Sequence, residues 1–119
     1  MDKLQAYNSF WNSFGIPAYD ELTIPDGAKP PYITYQTALD DFGNALFLNA
    51  SIWYRDTSWL AITQKEKEIS ARIGRGGCTV GYDGGACWIV KGTPWAQRMV
   101  DTDDMIRRIV LQYNIEFFD

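Results

Sequence analysis

Asp101-Thr102-Asp103-Asp104 is the stretch in which side chains of a chemically useful type stand closest together. Its three carboxylates are hard oxygen ligands of the kind that hold Ca²⁺ or Mg²⁺. The spacing of an EF-hand does not follow, because the glycine and the closing glutamate of such a loop are both missing. The preferred reading is a solvated loop that caps a strand or meets Arg or Lys of a partner. Asp40-Asp41 could act as an acid/base carboxylate pair. Adjacent residues in a turn diverge, however, and Asp40-Asp41-Phe42-Gly43-Asn44 has the composition of a turn. Gly74-Arg75-Gly76-Gly77 lies after a helical pattern and lacks the Lys-Ser/Thr ending, so no helix N-terminus would face a phosphate there.

The chain has no His, which removes the commonest general base near neutral pH and the commonest metal ligand. Cys78 and Cys87 flank a hairpin pattern and could face one another. Without a further Cys or His they cannot close a zinc site, and two reduced, packed thiols are expected. No Ser or Cys has a base beside it to activate it. No catalytic residue, metal site or cofactor is therefore expected, and the chain does not read as an enzyme.

These groups must be positioned by the elements around them. Residues 2–14 carry Leu4, Tyr7, Trp11 and Phe14 at helical spacing, with Asp2 as N-cap and Gly15 and Pro17 as stop signals. Residues 16–31 hold four prolines and Asp26-Gly27, which excludes a helix and a central strand. This stretch reads as a long arm, and its apolar members Ile16, Tyr19, Leu22 and Ile24 suggest that it lies against its own sheet or a neighbouring subunit. Tyr32–Leu39 and Ala45–Arg55 flank the Asp/Gly/Asn turn as a hairpin. The second of these strands has Phe47 and Trp53 on the face that should be wet. Trp59–Ile73 is the second helix, with Gly74 after it. Cys78–Tyr82 and Ala86–Lys91 form a second hairpin around Asp83-Gly84-Gly85, and Trp95–Met99 resumes the strand after a bulge at Gly92-Thr93-Pro94.

The clearest pattern is Met105–Phe118. Ile109, Leu111, Tyr113, Ile115 and Phe117 point one way; Val110, Gln112, Asn114, Glu116 and Phe118 point the other. Five buried side chains of this size contribute roughly 1.5–3 kcal/mol each. The order predicts an α+β domain, α-β-β-α-β-β-β, with a mostly antiparallel sheet of about five strands and both helices on one face.

At 119 residues the chain reads as one domain with a core of its own, the arm 16–31 included. Apolar residues make up 46% of it, which excludes disorder, and five Trp, seven Tyr and six Phe suit a surface that meets a partner. A net charge of −4 argues against a protein that grips nucleic acid. No apolar run approaches the ~18 residues of a membrane span. The start, Met-Asp-Lys-Leu-Gln, does not read as a signal peptide, so synthesis in the cytosol is expected.

Five segments carry a resemblance: Phe10–Asp20 (FWNSFGIPAYD), Pro30–Tyr35 (PPYITY), Ala50–Trp59 (ASIWYRDTSW), Trp88–Met99 (WIVKGTPWAQRM) and Asp103–Phe117 (DDMIRRIVLQYNIEF). Together they resemble tail terminator proteins of tailed phages and prophages of Gram-positive bacteria, a group also labelled minor capsid or tail completion proteins. The resemblance runs over nearly the whole chain in pattern and order, without a short signature. It implies a virion protein of the tail and neck region: a ring, usually a hexamer, on the head-proximal end of the tail tube. Such a ring stops tube polymerisation and joins the tail to head completion proteins, with no cofactor. Its partners would be other copies of itself, the tail tube protein and the head connector, while DNA passes through without specific binding. The residues themselves suggest Tyr19, Leu22, Ile24, Phe47, Trp53 and Trp95 as interface candidates. Asp40, Asp41, Asp101, Asp103 and Asp104 are candidates for loop or lumen contacts. Another head-tail connector or a contractile-tail terminator is the nearest alternative, and a small metal-binding or enzymatic domain is a more distant one.

Overall fold

The computed structural model describes residues 1–38 and 45–119. Its elements are α1 (Lys3–Trp11) with a 3₁₀ turn at Asn12–Phe14, β1 (Ala18–Asp20), β2 (Tyr32–Tyr35), β3 (Leu46–Arg55), α2 (Leu60–Ile73), β4 (Cys78–Tyr82), β5 (Gly85–Met99) and β6 (Ile106–Phe118). Asp2 caps α1 through a reciprocal pair with Gln5, and Gly15 ends the 3₁₀ turn at a φ of 82°, which an L side chain rarely adopts. At the start of α2 the Ser58 hydroxyl accepts the Leu60 N–H at 3.0 Å.

The strands form one sheet in the order β1-β2-β3-β6-β5-β4. Two expectations need correction here. The described sheet has six strands and is mixed, because Ala18–Asp20 of the proline-rich arm pairs in parallel with β2. The arm between Pro17 and Pro25 leaves room for three residues of strand, and parallel pairing with Ile33–Tyr35 satisfies their backbone at the sheet edge. The other pairs are antiparallel, and β5 is one long strand whose register on β6 shifts between Lys91 and Ala96. The expected bulge thus falls at Gly92-Thr93-Pro94.

Both helices cover the same face of the sheet. Ile109, Leu111, Tyr113, Ile115 and Phe117 are buried against Tyr7, Phe10 and Trp11 of α1 and Ile62, Ile69 and Ile73 of α2 in one core. The rings of Trp11 and Tyr113 lie 5.4 Å apart. Within this core Tyr7 donates to the Gln36 carbonyl at 2.7 Å and shares a short hydrogen bond with the Tyr113 hydroxyl. Because the Tyr7 proton is taken by Gln36, Tyr113 must donate to Tyr7. α1 is thereby tied to β6 and to the end of β2. Lys65 joins the two helices, donating to the Phe14 carbonyl at 2.5 Å.

Candidate functional site

Since both helices lie on one face, the alternating strands turn their other residues to a second face that no described element covers. β3 presents Phe47, Asn49, Ser51 and Trp53 there, opposite Asn114, Gln112, Val110 and Arg108 of β6. β5 adds Trp88, Val90, Gln97 and Met99. This face is rich in aromatic and aliphatic side chains and poor in charge, with Arg108 and Glu116 the charged members along the described length of β6 between Ile106 and Phe118. That is the composition found at the centre of protein interfaces.

The face has two different halves. On the β2 side it seals itself. Trp53 donates its indole N–H to the Thr34 hydroxyl at 3.0 Å, and Arg108 Nε donates to the Ser51 hydroxyl at 3.1 Å. The two long side chains cover Thr34 and Ser51, which are buried although they sit on the uncovered face. On the β5 side the apolar groups stay bare: Phe47 is 57% exposed and Phe118 54%. Phe47 lies across β6 toward the bulge, where a side chain at Gly92 would come within 3.2 Å of its ring. Trp88 is seated by a hydrogen bond from its indole N–H to the Gly76 carbonyl at 3.1 Å. Gly77, at a φ of 88°, allows this close approach, since a Cβ there would stand 2.6 Å from the Trp88 nitrogen. Beside these groups lies a depression of about 220 Å³ lined by Ala45, Trp88, Val90, Asn114, Ile115 and Glu116.

The residues singled out in the sequence are only partly brought together. Phe47 and Trp53 share the uncovered face. Tyr19 and Tyr32 pack edge to face with centroids 5.8 Å apart at the β1 edge, and Tyr32 continues toward Trp53 at 6.4 Å. Leu22 and Ile24 stand out beyond that edge, 87% and 39% exposed. Trp95 instead packs against the core, with the Lys91 ammonium 5.7 Å from its ring centre. Trp88, Val90, Met99, Phe118 and Arg108 were not singled out in the sequence. The signal was present in the alternation of β5 and β6, but only the register places them beside Phe47.

The acidic loop has local work for its oxygens. One Asp101 oxygen accepts the Asp103 N–H, and one Asp103 oxygen accepts the Met105 N–H, each at 2.9 Å. The other Asp103 oxygen lies 3.4 Å from the Arg55 guanidinium. This is the pattern of a loop that caps a strand. Asp104 is exposed beside them. Asp40 and Asp41 lie outside the described residues. Among the described residues no three Cys, Asp or Glu side chains gather as a metal set. Burial holds the Tyr7 and Tyr113 hydroxyls well above the usual phenol range and pushes the Cys87 thiol up to about 11. A hydrogen bond from Lys3 holds the Asp119 carboxyl below the usual carboxylate range. Each of these shifts moves a group away from neutral pH, the opposite of what acid/base catalysis asks. The arrangement suits contact with another surface. Among the described residues no helix is long and apolar enough to cross a membrane.

No family model and no curated protein matches the sequence. The fold is similar to that of a solved chain described as "Virion of native gene transfer agent (GTA) particle", with a TM-score of 0.63 and 16% identity, covering 98% of this chain and 85% of that one.

Proposed function

We propose that this chain is a structural component of a phage-like virion and acts as its tail terminator. It forms a ring on the head-proximal end of the tail tube, stops tube growth and joins the tail to head completion proteins. The observation that carries this reading is the likeness in fold to a chain of a gene transfer agent virion, which spans 98% of the present chain. The segments that resemble tail terminators run over the same length. An uncovered, charge-poor aromatic sheet face gives such a protein a surface for assembly.

In this reading the ring is a hexamer, and each copy contributes two different patches, as a closed head-to-tail ring requires. Phe47 belongs to one patch, with Trp53 sealing the half of the face beside it; Tyr19, Leu22 and Ile24 of the arm belong to the other, while Trp95 packs against the core from β5. Asp101, Asp103 and Asp104, with Asp40 and Asp41, are the lumen and loop contacts. A net charge of −4 lets DNA slide past without being held. The protein works in the neck of the virion and has no cofactor.

The test is polymerisation of the cognate tail tube protein followed by light scattering. Substoichiometric amounts of this chain should end growth early and give shorter tubes. Unchanged growth would remove the terminator role, and binding to portal-bearing heads in its place would make the chain a connector ring.

A further inference from the structure

We propose that Leu22 of one copy seats in the depression between Trp88, Val90 and Asn114 of a second copy, forming the head-to-tail contact of the ring. The proposal rests on the ring reading above and names the contact through which that ring closes. Leu22 is 87% exposed and Ile24 near it 39%, so the arm carries apolar side chains that a partner would bury. The backbone at Leu22 is nonetheless fixed. The Leu22 N–H donates to an Asp20 carboxylate oxygen at 2.9 Å, the Thr23 N–H to the Asp20 carbonyl at 3.0 Å, and the Glu21 N–H to the Tyr35 carbonyl at 2.9 Å. The second Asp20 oxygen accepts the Thr37 hydroxyl. An apolar side chain held out on a turn already in shape loses little freedom when it docks.

The receiving depression has a volume of about 220 Å³, room for an aliphatic side chain, and apolar groups provide most of its wall. Leu22 cannot reach it in its own molecule. The turn follows β1 at one edge of the sheet, while the depression lies on β6 and β5, three to four strands away in the order β1-β2-β3-β6-β5-β4. At about 4.8 Å per strand that is roughly 14–19 Å across the sheet alone. The two patches therefore meet only between copies, and because they differ, the contact runs head to tail and gives a ring where the rotation between copies closes.

Charge favours the same pairing. Exposed Glu21 adjoins Leu22 on the arm, and exposed Asp26 and Lys29 follow further along it. Exposed Arg75 adjoins Gly76, whose carbonyl holds Trp88, and among the described residues no carboxylate pairs with it. Glu116 on the β6 side of the depression repels the arm's acids and directs them toward Arg75. Pairing of two uncovered faces with each other would leave both Leu22 side chains in water and the arm's acids without a partner.

Sedimentation velocity on the full chain, alone and with tail tubes, tests this through two variants. Leu22→Asp removes the knob and Val90→Arg fills the depression. Each variant alone should associate at least about tenfold more weakly than the parent. An equimolar mixture should give a dimer and nothing larger, since one intact knob then meets one intact depression. Assembly of either variant like the parent, a mixture without dimer, or a parent that is monomeric under all these conditions would overturn the contact. Circular dichroism checks folding. Should Val90→Arg not fold, Glu21→Arg and Arg75→Glu replace the pair, each weakening assembly singly and restoring it when mixed. Rings that form through this contact without stopping tube growth would sink the terminator reading alone. Tubes capped by Leu22→Asp rings would sink the contact alone.

Discussion

The Arg108 guanidinium lies 4.5 Å from the centre of the Trp53 ring, at the point where β3 and β6 pair these two residues directly. Each also reaches a hydroxyl beneath it, Trp53 to Thr34 and Arg108 to Ser51. The pair therefore closes one half of the uncovered face, while the other half, around Phe47 and Trp88, stays exposed. Trp53→Phe keeps most of the ring and deletes the hydrogen bond to Thr34. Urea unfolding should show a loss of about 0.5–1.5 kcal/mol. No change in the midpoint would mean that the indole N–H is solvated and the seal is absent.

Phe47→Ala should act on assembly and leave the fold in place. The ring is 57% exposed and rests over Gly92, outside the core. A thermal melt close to the parent's, together with weaker light scattering from oligomers, is expected. Parent-like oligomers would take Phe47 out of the interface.

Leu111→Ala should do the reverse. The side chain is fully buried between the sheet and the helices, and its truncation should cost roughly 2–5 kcal/mol. An unshifted thermal melt would mean that the face of β6 turned to the helices is not the core.

Stability should fall as the solution becomes alkaline. Burial raises the Cys87 thiol from 9.0 to about 11, and the phenols of Tyr7, Tyr35 and Tyr113 are raised by the same cause. A folded state that holds its protons more tightly than the unfolded chain is favoured in full below the unfolded values and loses that advantage as pH rises through the folded ones. For Cys87 the loss runs from about pH 9 to about 11. Urea midpoints that decline over this range are expected, with a shallower decline in Cys87→Ala. A flat profile for the parent would contradict the burial of these groups.

Much of the fold could be read from β6, because a strand with one dry face writes its period into the sequence, and Ile109 to Phe117 do so without a break. The ends of α1 were legible in Asp2 and Gly15 for similar local reasons. β1 was not: three residues between prolines have no period, and their strand character comes from Tyr32–Tyr35, far along the chain. The candidate site was half legible. Phe47 and Trp53 break the polar alternation of β3. Trp88, Val90 and Arg108 follow the alternation of β5 and β6, but only the register across β3, β6 and β5 sets them on one surface. Trp95 looked like a surface aromatic until the bulge before it turned it toward the core.

Electron microscopy of the purified chain mixed with cognate tail tubes tests the central claim most directly. One ring at a single end of each tube, the end that meets the head, and tubes that no longer lengthen are expected. Undecorated tubes, or rings bound to portal-bearing heads in the absence of tubes, would contradict the claim.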